Sequence, residues 1–252
     1  MELIGFGYSL LWEKKGLQFN SPTISSGNSG CLYGLLIANI SDVVVRGFSG
    51  YNSRWVLEMA RLFMPELKRI RLAVILLGTN DALLAPEPRA IDPESYKANI
   101  AKIVSLVPLS AKIILVSPPP YSLKGKAKDL GLEYYPGINL DRDPVHSLLY
   151  NLKARELADN LNEAGDRKGN VAFCDIRTPM EKAALEESPD DLEEGLFKYL
   201  RDGVHLSPDG YQCMYETLLH VIKSRFPELE QEPYFFADYE TIDHTQPEKY
   251  FE

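Results

Sequence analysis

Cysteine is scarce. The 252 residues hold three, Cys31, Cys174 and Cys213, far apart and without the close pairs that zinc sites use. That argues against a disulfide framework and against a zinc site. Cys174 lies in an apolar run and reads as a buried structural thiol. Long apolar runs are missing too. No stretch reaches the roughly 18 apolar residues of a spanning helix, so no membrane span is expected. Nothing at the amino end reads as a basic region followed by an apolar region and a cleavage site. An intracellular, cytoplasmic and reducing location is the expectation. Basic residues are outnumbered: 27 Lys and Arg stand against 36 Asp and Glu, a formal charge of −9. This balance disfavours broad phosphate neutralisation, and no nucleic-acid partner is expected. There is no internal repeat and no composition break that asks for two domains.

What is present is a chain of short buried strands alternating with amphipathic helices. Residues 2–6 read as a strand that ends in Gly7-Tyr8-Ser9. Residues 14–30 read as a polar loop and 31–40 as a short helix. Val43–Arg46 is a β-branched strand, ended by Gly47-Phe48-Ser49-Gly50. A helix follows over about 53–64, with Trp55, Met59, Leu62 and Phe63 spaced for one face. Leu72–Leu77 is the strongest strand signal and runs into Gly78-Thr79-Asn80-Asp81. Asp92 and Pro93 supply an N-cap and a first-turn proline for a helix to about Val107.

Lys112–Ser117 is a fourth strand, stopped by Pro118, Pro119 and Pro120. A long Pro- and Gly-punctuated connection spans 118–144, and a helix covers about 146–164. Val171–Asp175 is a fifth strand, followed by a weak acidic helix over about 178–187. Glu186-Glu187 and Asp190 to Glu194 read as a solvated acidic face. The last helix is capped by Ser207 and Pro208 and runs to about Arg225. The reading is one domain, 1–226, with an acidic aromatic tail, 227–252, packed on the domain or on a partner.

This alternation predicts an α/β fold with a parallel sheet and helices on both faces. In such sheets ligands bind beyond the carboxyl ends of the strands. Ser9, Gly50 and Asn80 fall at three such ends. A second polar group lies near the carboxyl terminus, Asp202-Gly203-Val204-His205, just before a helix start. An acid three residues before an imidazole is a compact way to orient a base. A serine hydroxyl is a poor nucleophile until a base takes its proton, and His205 could take that of Ser9. The oxyanion of a tetrahedral intermediate needs preorganised donors. The backbone N–H groups of Ser9 and Gly50 and the side-chain amide of Asn80 are candidates. Taken singly, each residue has a plainer reading: a turn serine, a turn glycine, a cap or turn asparagine, a structural histidine and a solvated acid. The joint pattern favours catalysis.

In their order along the chain, Gly-Tyr-Ser-Leu at 7–10, Gly-Phe-Ser-Gly-Tyr-Asn at 47–52, Gly-Thr-Asn-Asp at 78–81 and Asp-Gly-Val-His at 202–205 resemble the SGNH, or GDSL-type, hydrolases. Arg46–Trp55 and Leu206–Gly210 look closer still to the isoamyl acetate-hydrolysing esterase branch. The resemblance spans about residues 3–225. It implies a three-layer α/β/α sandwich on a five-stranded parallel sheet, a flavodoxin-like arrangement. It also implies a Ser9–Asp202–His205 triad, an oxyanion hole of Ser9, Gly50 and Asn80, no metal and no cofactor. The implied activity is hydrolysis of small-molecule esters of small or medium acyl groups.

Two departures stand out. Tyr8 occupies the place of the family's Asp, and 11–31 lacks the usual Gly-Gly-Trp. Two alternatives therefore stay open: a relative that binds a ligand or protein without turnover, and an acyltransferase to alcohols. A homo-oligomer is also left open.

Overall fold

The computed structural model describes residues 2–7, 42–67, 70–230, 243 and 245–246, with backbone alone at 2–7, 42, 43, 66 and 230. The expected loop at 14–30, the helix at 31–40, Tyr8, Ser9 and nearly all of the tail beyond 230 lie outside the described residues.

The strands are β1 (Glu2–Gly7), β2 (Asp42–Gly47), β3 (Ile70–Leu76), β4 (Lys112–Val116) and β5 (Val171–Cys174). They pair in parallel in the order β2-β1-β3-β4-β5. Apolar, β-branched runs suit strands covered on both faces, and β3 is buried at every residue but Arg71. Successive residues split between two cores. Ala73, Ile75, Ile113, Leu115 and Val171 face one; Leu72, Val74, Ile114, Val116 and Ala172 face the other. This period of two places a helical layer on each side of the sheet.

The first layer holds α1 (Ser53–Phe63), α2 (Pro93–Leu106) and α4 (Pro144–Glu163), through Val56, Leu57, Ile100, Ile103, Tyr150 and Leu157. The second holds α5 (Arg177–Glu187) and α7 (Pro208–Arg225), through Met180, Ala184, Met214, Leu218 and Ile222. Four of these five helix starts, all but that of α5, are marked by a side-chain cap that satisfies an otherwise orphaned N–H. Asn52 accepts from Trp55 N, Asp92 from Ser95 N, Asp143 from His146 N and Ser207 from Gly210 N.

Two expectations need correction. The 118–144 connection contains a short helix, α3 (Leu123–Asp129), capped by Ser122. Its seven residues carry Lys and Gly rather than an apolar stripe, which hid it from a periodicity search. The acidic run at 190–194 is not merely solvated. It forms α6 (Leu192–Gly195), and Glu193 accepts from Ser122 Oγ at 2.6 Å and Lys124 N at 3.0 Å. Asp191 and Glu194 both pair with Lys124. Glu187 likewise pairs with Lys198.

Candidate active site

Of the candidate residues, Gly50 and Asn80 lie just beyond the carboxyl ends of β2 and β3. Backbone β1 ends at Gly7, opposite Gly47 of β2, with β3 on its other side. Tyr8 and Ser9, the two residues that follow, fall outside the described residues.

The loop after β2 turns at Gly50, whose φ of +73° lies in the left-handed region. Among the described residues an added Cβ there would meet only the end of Arg89 at 3.8 Å, so the positive φ is what calls for glycine. Two residues later the chain enters α1. Asp81, from the loop after β3, accepts Ser53 N on both carboxylate oxygens, at 3.0 and 3.1 Å. Asp81 is fully buried, and burial pushes its carboxyl up to about 6 against the hydrogen bonds from Ser53. Asn80 bridges the same two loops: its Nδ2 donates to Tyr51 O at 2.9 Å. The loops that carry Gly50 and Asn80 are thus tied to one another.

His205 and Asp202 form the other half. His205 Nδ1 lies 2.6 Å from Asp202 Oδ2. The second oxygen, Oδ1, accepts Val204 N at 3.0 Å and His205 N at 2.8 Å. Burial works against the Asp202 charge, but the hydrogen bonds from the His205 ring and backbone outweigh it and hold this carboxyl well below the usual carboxylate range. With Nδ1 as donor to Asp202, the neutral imidazole carries its lone pair on Nε2, the tautomer a general base needs. The tight turn depends on Gly203, at φ +80°. A Cβ there would sit 2.4 Å from both Lys126 N and Ser122 O. Gly203 O in turn accepts Ser122 N at 2.9 Å, so the turn is docked on the start of α3.

A continuous set of contacts joins the two halves. Ser122 follows Tyr121, whose ring lies 6.0 Å from the guanidinium carbon of Arg142. Buried Arg142 donates to Thr79 O at 3.1 Å and to Asn80 Oδ1 at 3.3 Å. Arg142, Asp81 and Ser122 are the residues that sequence reasoning missed. Asp81 stood inside the Gly-Thr-Asn-Asp motif; Arg142 had no local signal, because Thr79 and Asn80, which it grips, are over sixty residues away. Among the described residues no cluster of three or more His, Cys, Asp or Glu could hold a metal ion. None of their helices is long and apolar enough to cross a membrane.

A parallel α/β sheet with an imidazole oriented by a carboxylate and an asparagine amide on the loops that follow its strands is an arrangement suited to hydrolysis of acyl compounds. The comparisons agree. Residues 19–213 match the GDSL-like lipase/acylhydrolase family. A GDSL esterase/lipase of Arabidopsis thaliana is 25% identical, over 94% of this chain and 95% of its own. The isoamyl acetate-hydrolyzing esterase 1 homolog of Rattus norvegicus is 28% identical, over 98% and 95%. Among solved structures, an acetyl xylan esterase superposes with a TM-score of 0.59 at 18% identity, covering 88% of this chain and all of that one. The chain belongs to the GDSL-like lipase/acylhydrolase family, and its reaction class is carboxylic ester hydrolysis. The matched segment begins ten residues after Ser9.

Proposed function

We propose that this chain hydrolyses esters of small or medium acyl groups through an acyl-Ser9 intermediate, using residues 1–226 as a catalytic domain on a five-stranded parallel sheet. Ser9 Oγ attacks the ester carbonyl carbon while His205 Nε2 takes its proton. The carbonyl oxygen becomes an oxyanion, facing the N–H groups of Ser9 and Gly50 and the amide of Asn80. Collapse breaks the bond to the alcohol oxygen, and His205 returns the proton to that leaving group. A water activated by the same imidazole then releases the acid and restores the serine. The substrate is a small-molecule ester, and the chemistry requires no cofactor.

The observation that carries this reading is the Asp202–His205 pair at 2.6 Å, with the second carboxylate oxygen tied to backbone. The test is labelling by a fluorophosphonate alongside hydrolysis of nitrophenyl acetate and butyrate. Wild type is expected to label and to turn over, and Ser9→Ala to do neither. Wild type that binds an ester without labelling or turnover would replace this reading with that of a binding module, Tyr8 being the residue to examine. Product ester accumulating when an alcohol is added would instead mark an acyltransferase.

A further inference from the structure

Asn80 is a primary amide, and an amide can sit either way round. Which way decides whether it offers hydrogen atoms or a carbonyl oxygen to a substrate. Its two ends meet neighbours of opposite character. Nδ2 faces Tyr51 O at 2.9 Å, a carbonyl that can only accept. Oδ1 faces Arg142 Nη2 at 3.3 Å, a guanidinium that can only donate. Reversing the amide would oppose two acceptors at one end and two donors at the other. The Tyr51 carbonyl and the Arg142 guanidinium together permit one orientation.

The guanidinium is itself fixed. Arg142 is 6% exposed. Its Nε donates to Thr79 O at 3.1 Å, its Nη1 lies 2.6 Å from Asp141 Oδ2, and the Tyr121 ring packs beside it. Its backbone forms a bridge with Leu83, and Leu84 N donates to Asp141 O at 2.9 Å. One planar fork therefore grips the backbone and the side chain of consecutive residues, Thr79 and Asn80. Arginine's planar array of donors suits this task; a lysine ammonium is a single point.

We propose that Arg142 is a positioning residue of the site: it holds the Asn80 amide with its N–H side toward the reacting carbonyl and polarises it as a donor. A cation on Oδ1 draws electron density from the amide nitrogen, which strengthens the donor at the moment the oxyanion forms. Nδ2 carries two hydrogens. Tyr51 O uses one, and the other serves the oxyanion. The inference rests on the role of Asn80 given above and adds the residue that sets its direction.

The experiment is a double-mutant cycle with Arg142→Met, Asn80→Ala and the pair, read as kcat and KM for nitrophenyl acetate, with urea midpoints for each variant. Asn80→Ala is expected to lower kcat on the order of 10²–10³. Arg142→Met is expected to lower kcat on the order of 10- to 10²-fold, with KM within about threefold because ground-state binding is spared. In the Asn80→Ala background the same change should cost less than about twofold, since the group it orients is gone. Equal losses in both backgrounds, or an unchanged kcat in Arg142→Met, would overturn the proposal while leaving the Asn80 role standing. An unchanged kcat in Asn80→Ala would remove both. If Arg142→Met does not fold, Arg142→Lys keeps the charge without the fork and takes its place in the same cycle. It is expected to fall between wild type and Asn80→Ala in kcat; wild-type kcat in that variant would also count against the proposal.

Discussion

Asp81 shows how a single side chain can serve the site at a cost to the fold. It is fully buried, it receives Ser53 N on both oxygens, and its carboxyl is pushed up to about 6. A carboxyl whose folded value is raised binds its proton more readily when folded than when unfolded. Its favourable contribution is therefore complete at low pH and is lost as pH rises from 3.8 to about 6. The loss is on the order of 3 kcal/mol. Asp81→Asn cannot titrate. The stability difference between wild type and Asp81→Asn, measured by urea unfolding, should shrink or change sign in that interval and stay flat above it. A difference that is constant from pH 4 to 7 would contradict this account. The same residue marks what was readable beforehand. Asp202 and His205 were legible because carboxylate and ring are three residues apart and the contact is local. Asn80 and Gly50 were legible through motif and strand end. The task of Asp81 was not, because its partner Ser53 lies 28 residues back and is a backbone N–H that any residue would offer.

Among the elements, α3 was the one most thoroughly hidden. Seven residues with three lysines and a glycine give no apolar stripe, and three prolines precede them. Its reason for existing is tertiary: it is the ledge on which the Asp202–His205 turn rests. Gly125 belongs to that ledge. Replacing a helical glycine by alanine ordinarily stabilises by roughly 0.5–1 kcal/mol. Here the added Cβ would stand 2.9 Å from Gly203 Cα and 3.0 Å from Gly203 N, both backbone atoms. Gly125→Ala is therefore expected to destabilise by about 1–3 kcal/mol. Thermal unfolding supplies the sign, and a stabilised variant would show that the two backbones are not in close contact. Three helices were read to within a few residues: α2 from its cap and apolar face, α7 from its cap, and α1 from a face that proves to be the wrong one, since Trp55 and Leu62 are exposed while Val56, Leu57, Ala60 and Phe63 face the core. The acidic stretch at 190–194 was misread because composition reports charge, not the hydroxyl and amide that Glu193 reaches across the fold.

At the scale of the whole molecule, the sheet separates two cores that, among the described residues, share no side chain. Ile113 belongs to the layer of α1, α2 and α4; Ile114, the next residue, belongs to that of α5 and α7. Both are fully buried. Each change to alanine should cost about 2–5 kcal/mol. Because the cavities open on opposite faces of β4, the two losses should add to within about 0.5 kcal/mol. Strong coupling in the double variant, read by urea denaturation, would mean that the layers relax together. The split between the two faces was not legible, because both faces are apolar; the α/β character followed instead from short apolar strands alternating with amphipathic helices.

The first strand is an inner member of the sheet, with β2 on one flank and β3 on the other. It runs from Glu2 at one rim to Gly7 at the rim that carries the candidate residues Gly50 and Asn80. Six residues at about 3.3 Å each make that passage ~20 Å long. A fusion partner or affinity handle joined ahead of Glu2 therefore leaves the sheet at the rim opposite the one proposed to bind substrate.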